Sequence, residues 1–141
     1  MNKVILQSIQ SELKAPKNQT NKFGGYSYRS AEDILEATKP LLNKHGATLT
    51  ISDEVEEIGG RVYVKAIASL WDSETGEAIA GVQAFAREAE NKKGMDDAQI
   101  TGSASSYARK YALSGLLCID GEKDPDATNN HGKNKSEDLD F

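Results

Sequence analysis

Two stretches of this chain interleave cations with aromatic rings. Between residues 14 and 29, Lys14, Lys17, Lys22 and Arg29 flank Phe23, Tyr26 and Tyr28; further on, Tyr107 and Tyr111 flank Arg109 and Lys110. Cations that track phosphates, combined with flat rings that accept unstacked bases, bind single-stranded nucleic acid, at about 1 to 3 kcal/mol per stacked base. The second stretch also has a plainer reading. Tyr107 and Tyr111 stand one helical turn apart, and such a pair packs readily against a sheet, which would place both rings in the core. Arg109 and Lys110 have no acidic neighbour within a turn and read as a cationic patch on the outer side of the same helix.

Covalent chemistry finds little support. The chain lacks the G-x-x-x-x-G-K-[ST] phosphate loop, so an ATP-driven recombinase has no motif to stand on. The run "GSASS" from Gly102 lacks the second glycine of a nucleophile elbow and sits inside a helical pattern, where small residues permit close packing. His45 and His131 are far from each other and from any cysteine pair, which leaves no zinc motif. Asp96, Asp97 and Asp120 are the acids a small Mg²⁺ nuclease would use, yet the first two are explained by a helix start, where carboxylates cap the orphan N–H groups. "DGEKDPD" from Asp120 does not follow the calcium-loop pattern. The single cysteine, Cys118, falls in the apolar run "LSGLLCID" and reads as a buried, reduced thiol. The expectation is a binding protein with no cofactor and no resident metal.

These residues need a scaffold, and the hydrophobic pattern supplies one. Val4, Ile5, Ile9 and Leu13 have the spacing of an amphipathic helix that ends before Pro16. Residues 14 to 29 show no periodicity and read as a long loop, of a length that in compact domains is functional or disordered. Ser30 with Asp33 predicts an N-cap, and Ile34, Leu35, Leu41 and Leu42 carry a second helix to a stop at Gly46, with Pro40 expected to kink it. Three alternating runs follow, "ATLTIS", "RVYVKAIASLW" and "EAIAGVQAFARE", the last placing Ala78, Ala80, Val82, Ala84 and Ala86 on one face. Hairpin-type connectors make them an antiparallel three-stranded meander, whose apolar face needs a cover. The helix opened by Asp96 and Gln99 is that cover, with Gly115 as its expected stop. The predicted fold class is α+β: N-terminal helices, then a β-β-β-α core in residues 1–120, followed by a disordered acidic tail in residues 121–141.

Charge is segregated along this scaffold. The whole chain carries a formal −5, but residues 1–30 hold four Lys and one Arg against one Glu, while residues 121–141 hold three Lys against six acids. A basic N-terminal segment therefore coexists with an acidic end. No apolar run approaches the roughly 18 residues a membrane helix requires, and the polar-interrupted start is unlike a signal peptide, so a cytoplasmic location is expected.

Two blocks, "NKFGGYSYRSAEDILEATKPLLNKHG" and "GMDDAQITGSASSYARKYALSGLLCIDGEKDPDA", resemble the signature blocks of the ERF (essential recombination function) family of phage single-strand annealing proteins. The resemblance extends over about residues 14 to 127. It implies ATP-independent binding of single-stranded DNA, pairing of complementary strands in the bacterial host cytoplasm, and assembly into rings or filaments on a β-β-β-α core. That core is shared with the ring-forming annealing proteins of eukaryotic recombination. Tyr26, Tyr28, Arg29, Tyr107, Arg109 and Lys110 match the family's motifs; Lys14, Lys17 and Lys22 join them as DNA-binding candidates on the charge pattern alone. On this reading Gly102, Ser103, Ala104 and Ser105 bring the helix close to the sheet, and Arg109 and Lys110 project outward. The chain is short for the family.

The closing residues "SEDLDF" resemble the acidic C-terminal tip by which bacterial single-stranded DNA-binding proteins recruit partners. Asp138, Leu139, Asp140 and Phe141 are thereby candidates for docking onto host replication or repair proteins, the terminal ring entering a pocket while acids meet basic residues. Two other functions stay open at this level: a DNA-binding protein that does not anneal, and the small Mg²⁺ nuclease.

Overall fold

A computed structural model describes residues 3–90 and 94–119. Its elements run α1 (Lys3–Glu12), β1 (Gln19–Asn21), β2 (Tyr26–Tyr28), α2 (Ala31–His45), β3 (Ala47–Ile58), β4 (Arg61–Asp72), β5 (Ala78–Arg87) and α3 (Asp97–Leu117). The mixed α+β architecture expected from the sequence is present. β3, β4 and β5 form an antiparallel sheet in that order, and α3 lies across one face of it.

Local chemistry sets the helix ends. Ser30 and Asp96 are N-caps, each locked in a reciprocal capping box with the residue three places on, Asp33 and Gln99. Gly46 closes α2 in the left-handed conformation, as its sequence position predicts. α3 does not stop at Gly115. It continues to Leu117, and Cys118 takes the left-handed cap at φ 59° with its N–H on the Ser114 carbonyl. Gly115 serves a different purpose: a Cβ there would lie 3.1 Å from Val82 Cγ1, so the missing side chain lets α3 approach β5. Cys118 is exposed rather than buried, because the cap turns it out of the apolar run.

The core lies between sheet and helix. Val64, Ala66, Ala68 and Leu70 point from β4 toward Ala104, Ala108 and Ala112 on α3, and this small-residue stripe permits the close contact. Gly102 and Ser103 are not part of the stripe: Gly102 is exposed, with open space where a Cβ would stand, and Ser103 lines a cleft. Leu113, Leu116 and Leu117 extend the core, as do Ile34 of α2 and Ile9 of α1, each gaining about 1.5–3 kcal/mol from burial. On β5 the inward face is Ala80, Val82, Ala84 and Ala86, but Ala78 is not on it. A register shift at Leu70/Trp71 pairs Trp71 with exposed Ala78 and buries Ile79 instead, since a bulge breaks the two-residue alternation.

The predicted loop between residues 14 and 29 contains a two-stranded hairpin, with Gln19 opposite Tyr28 and Asn21 opposite Tyr26. Three-residue strands are too short for alternation to register. Gln19 Nε2 donates to Asp33 Oδ2 at 3.2 Å, which fastens the hairpin to the start of α2. The Ser30 backbone N–H, with help from Gln19, holds the Asp33 carboxyl below its ordinary pKa against the upward push of burial. No helix among the described residues is long and apolar enough to cross a membrane.

Candidate nucleic-acid interface

The hairpin, the start of α2 and one flank of α3 enclose a cleft of about 460 Å³. Tyr26, Tyr28, Tyr107 and Tyr111 line it, together with Asn21 and Lys110. The alternation of β2 turns Tyr26 and Tyr28 to one side, where their rings meet edge-on with centroids 6.3 Å apart. Helical spacing brings Tyr107 and Tyr111 into a stack, also 6.3 Å apart, with 24° between the planes. Both remain 49% exposed, which overturns their assignment to the core. The reason is angular: Ala104, Ala108 and Ala112 already occupy the face against the sheet, and the tyrosines fall on the flank beside it.

Lys110 is the cation of this cleft. It is buried, not projecting, and its Nζ lies 5.1 Å from the Tyr107 ring centroid and 5.5 Å from that of Tyr28. An ammonium held over two ring faces is stabilised by their quadrupoles while its charge stays inside the cleft. A second cleft of about 350 Å³ shares Ser103, Tyr107 and Tyr111 and is completed by Arg87 of β5 with Met95 and Ile100. The stacked tyrosines thus have a cation in each of the two clefts they line.

The remaining candidates lie elsewhere. Arg109 is ion-paired: its Nε donates to Asp53 Oδ1 at 3.0 Å and its Nη2 to Oδ2 at 3.3 Å, while Ser105 Oγ donates to the same carboxylate at 2.6 Å. Burial pushes the Asp53 carboxyl up, but these hydrogen bonds and the guanidinium charge outweigh it and hold the pKa below its ordinary value. Asp53 comes from β3, and no helix-based inspection of charge would find it. Arg29 is buried, and its Nε donates to the Ala15 carbonyl at 2.7 Å, a contact that ties the linker after α1 to the end of β2. Lys14 borders a hollow with Arg29 and Cys118, Lys17 is half-buried on the linker, and Lys22 is exposed at the hairpin turn. Asp96 accepts from Gln99 N at 2.9 Å as a cap. Asp120, His131 and the tail residues Asp138, Leu139, Asp140 and Phe141 lie outside the described residues.

Of the DNA-binding candidates named from the sequence, Tyr26, Tyr28, Tyr107 and Lys110 line the first cleft, while Tyr111, Asn21 and Arg87 of the two clefts were not among those candidates. Tyr107 and Tyr111 both carry a core reading from their one-turn spacing, and the family motif singles out Tyr107 alone as a binding candidate. Asn21 and Arg87 carried no signal in one dimension, since an isolated Asn in a turn and a lone Arg at a strand end are commonplace.

The fold is an α+β core that carries an aromatic, cation-bearing cleft. The chain belongs to the ERF superfamily, whose family model matches residues 4–139. It is 59% identical over 121 residues to the Essential recombination function protein of Salmonella phage P22, an alignment that takes in 86% of this chain and 57% of that protein. The chain thus spans little more than half the length of that relative. No solved structure matches it.

Proposed function

We propose that this protein binds single-stranded DNA and anneals complementary strands in phage homologous recombination, without ATP and without making or breaking covalent bonds. The observation that carries this reading is the cleft lined by four tyrosine rings, with the Lys110 ammonium held against two of them, Tyr28 and Tyr107. Rings of this kind accept bases regardless of sequence, and the cation meets the phosphate between them. The name of the phage P22 relative supplies the biological setting, recombination.

Two complementary strands repel along their backbones. A protein that neutralises phosphates while holding bases away from intrastrand stacks lowers that barrier, and base pairing itself drives the reaction. One cleft is too short for this task, so the proposal includes side-by-side assembly into a ring or filament. β3 and β5 are the outer strands of the sheet and offer backbone groups for such joining. The acidic segment of residues 121–141 is proposed to recruit host replication or repair proteins, and the site of action is proposed to be the host cytoplasm.

The test is fluorescence-quench annealing of complementary oligonucleotides without ATP or metal, beside a non-complementary pair. Acceleration of the complementary pair alone supports annealing. Tight binding without acceleration leaves a DNA-binding protein that does not anneal, and strand cleavage on adding Mg²⁺ exposes a nuclease.

A further inference from the structure

We propose that Phe23, at the turn of the β1–β2 hairpin, is a stacking wedge that receives a base of the bound strand where that strand leaves the tyrosine cleft. The inference rests on the DNA-binding reading above and adds a contact point outside the cleft. Phe23 is 104% exposed, more open than any other large apolar side chain among the described residues. The backbone that carries it is nevertheless held in place. Asn21 Oδ1 accepts from Phe23 N and from Gly24 N, each at 2.9 Å, and Gly25 N donates to the Asn21 carbonyl at 2.8 Å, so the turn is closed three times on one residue.

The same Asn21 reaches the cleft. Its Nδ2 donates to Tyr26 Oη at 3.1 Å, and the Tyr26 ring lies where a Gly24 side chain would be, with a Cβ there only 2.3 Å from Cε1. The backbone that carries the wedge and the cleft wall are therefore joined through Asn21, and the proposal places the next base of a strand stacked on Tyr26 at Phe23. The surroundings of the ring favour a base over an apolar pocket on another protein. Its chain neighbours are Asn21, Lys22, Gly24 and Gly25, with no second apolar side chain, whereas Lys22 offers a cation for the adjoining phosphate. A single ring inserted between base steps is a known physical mode of nucleic-acid distortion.

The test compares the full-length wild type with Phe23→Ala, Phe23→Leu and Phe23→Trp. Each is measured for affinity to a fluorescein-labelled single-stranded oligonucleotide and for mass by analytical ultracentrifugation. The expected result is a loss of about 5- to 100-fold in affinity for the Ala and Leu variants, retention by Trp, and unchanged mass. Wild-type affinity in Phe23→Ala overturns the wedge while leaving the cleft intact. Retention by Leu, with smaller assemblies for Ala, overturns it in favour of a pocket on a neighbouring copy. Absence of binding by the wild type removes the DNA-binding reading, and the wedge with it.

Discussion

The Lys110 ammonium on α3 lies 5.5 Å from the centroid of the Tyr28 ring on β2, and this contact joins the helix to the hairpin across the cleft. If the charge serves the phosphate backbone, Lys110→Met keeps much of the packed stem and removes only the cation. The slope of log affinity against log salt should then shrink by about 0.7, the increment for one phosphate contact on a single strand. A salt titration by fluorescence anisotropy measures it.

Arg109 should behave differently, although it is the next residue. Its guanidinium is already neutralised by Asp53, so Arg109→Gln should leave the salt slope unchanged and instead lower stability by about 1 kcal/mol. The pH dependence follows from Asp53. Its folded-state pKa lies below the ordinary carboxylate value, so the contribution is fully present above that value and lost as pH falls through the lower one. Asp53→Asn should flatten the acid limb of a thermal-stability profile measured below about pH 4.

Much of this fold was legible because its signals are periodic or local. The meander shows itself in β4 by strict alternation, and both N-caps by their capping-box spacing. What escaped is what depends on contacts across the fold. The β1–β2 strands are three residues each, too short to alternate visibly, and Ile79 took the place of Ala78 because of a bulge that only pairing with β4 reveals. The site was half legible for the same reason. Residue types named the tyrosines and Lys110, but the Arg109 partner stands on β3, and whether Tyr111 faces core or cleft depends on which stripe of α3 meets the sheet.

Gly24 tests whether the hairpin positions Tyr26. A Cβ at residue 24 would stand 2.3 Å from Tyr26 Cε1 and 2.6 Å from Cδ1, so the ring must swing away and release its hydrogen bond from Asn21. Gly24→Ala should reduce single-stranded DNA affinity by about fivefold or more, the worth of one weakened base stack. The melting temperature should move little, since the hairpin is remote from the core, and differential scanning fluorimetry beside the binding assay separates the two effects.

Glu12 tests the seam between α1 and α2. Lys44 Nζ donates to its Oε1 and His45 Nε2 lies against its Oε2, each at 2.7 Å, and these bonds, Lys44 first, hold the Glu12 carboxyl below its ordinary pKa. The contribution is present above the ordinary glutamate value and lost as pH falls through the lower one. Glu12→Gln should therefore lower stability at neutral pH and converge with wild type in acid, as urea unfolding at several pH values would report.

The central claim is that the stacked Tyr107 and Tyr111 hold bases. Both are half-exposed, so Tyr107→Ala with Tyr111→Ala can be made without opening the core, and circular dichroism verifies the fold. The decisive measurement is equilibrium binding of a single-stranded oligonucleotide by this variant and by wild type across a salt series. Loss of about 5- to 100-fold in affinity per ring with an unchanged salt slope is the predicted result. Equal affinity for the two proteins at every salt concentration would contradict it.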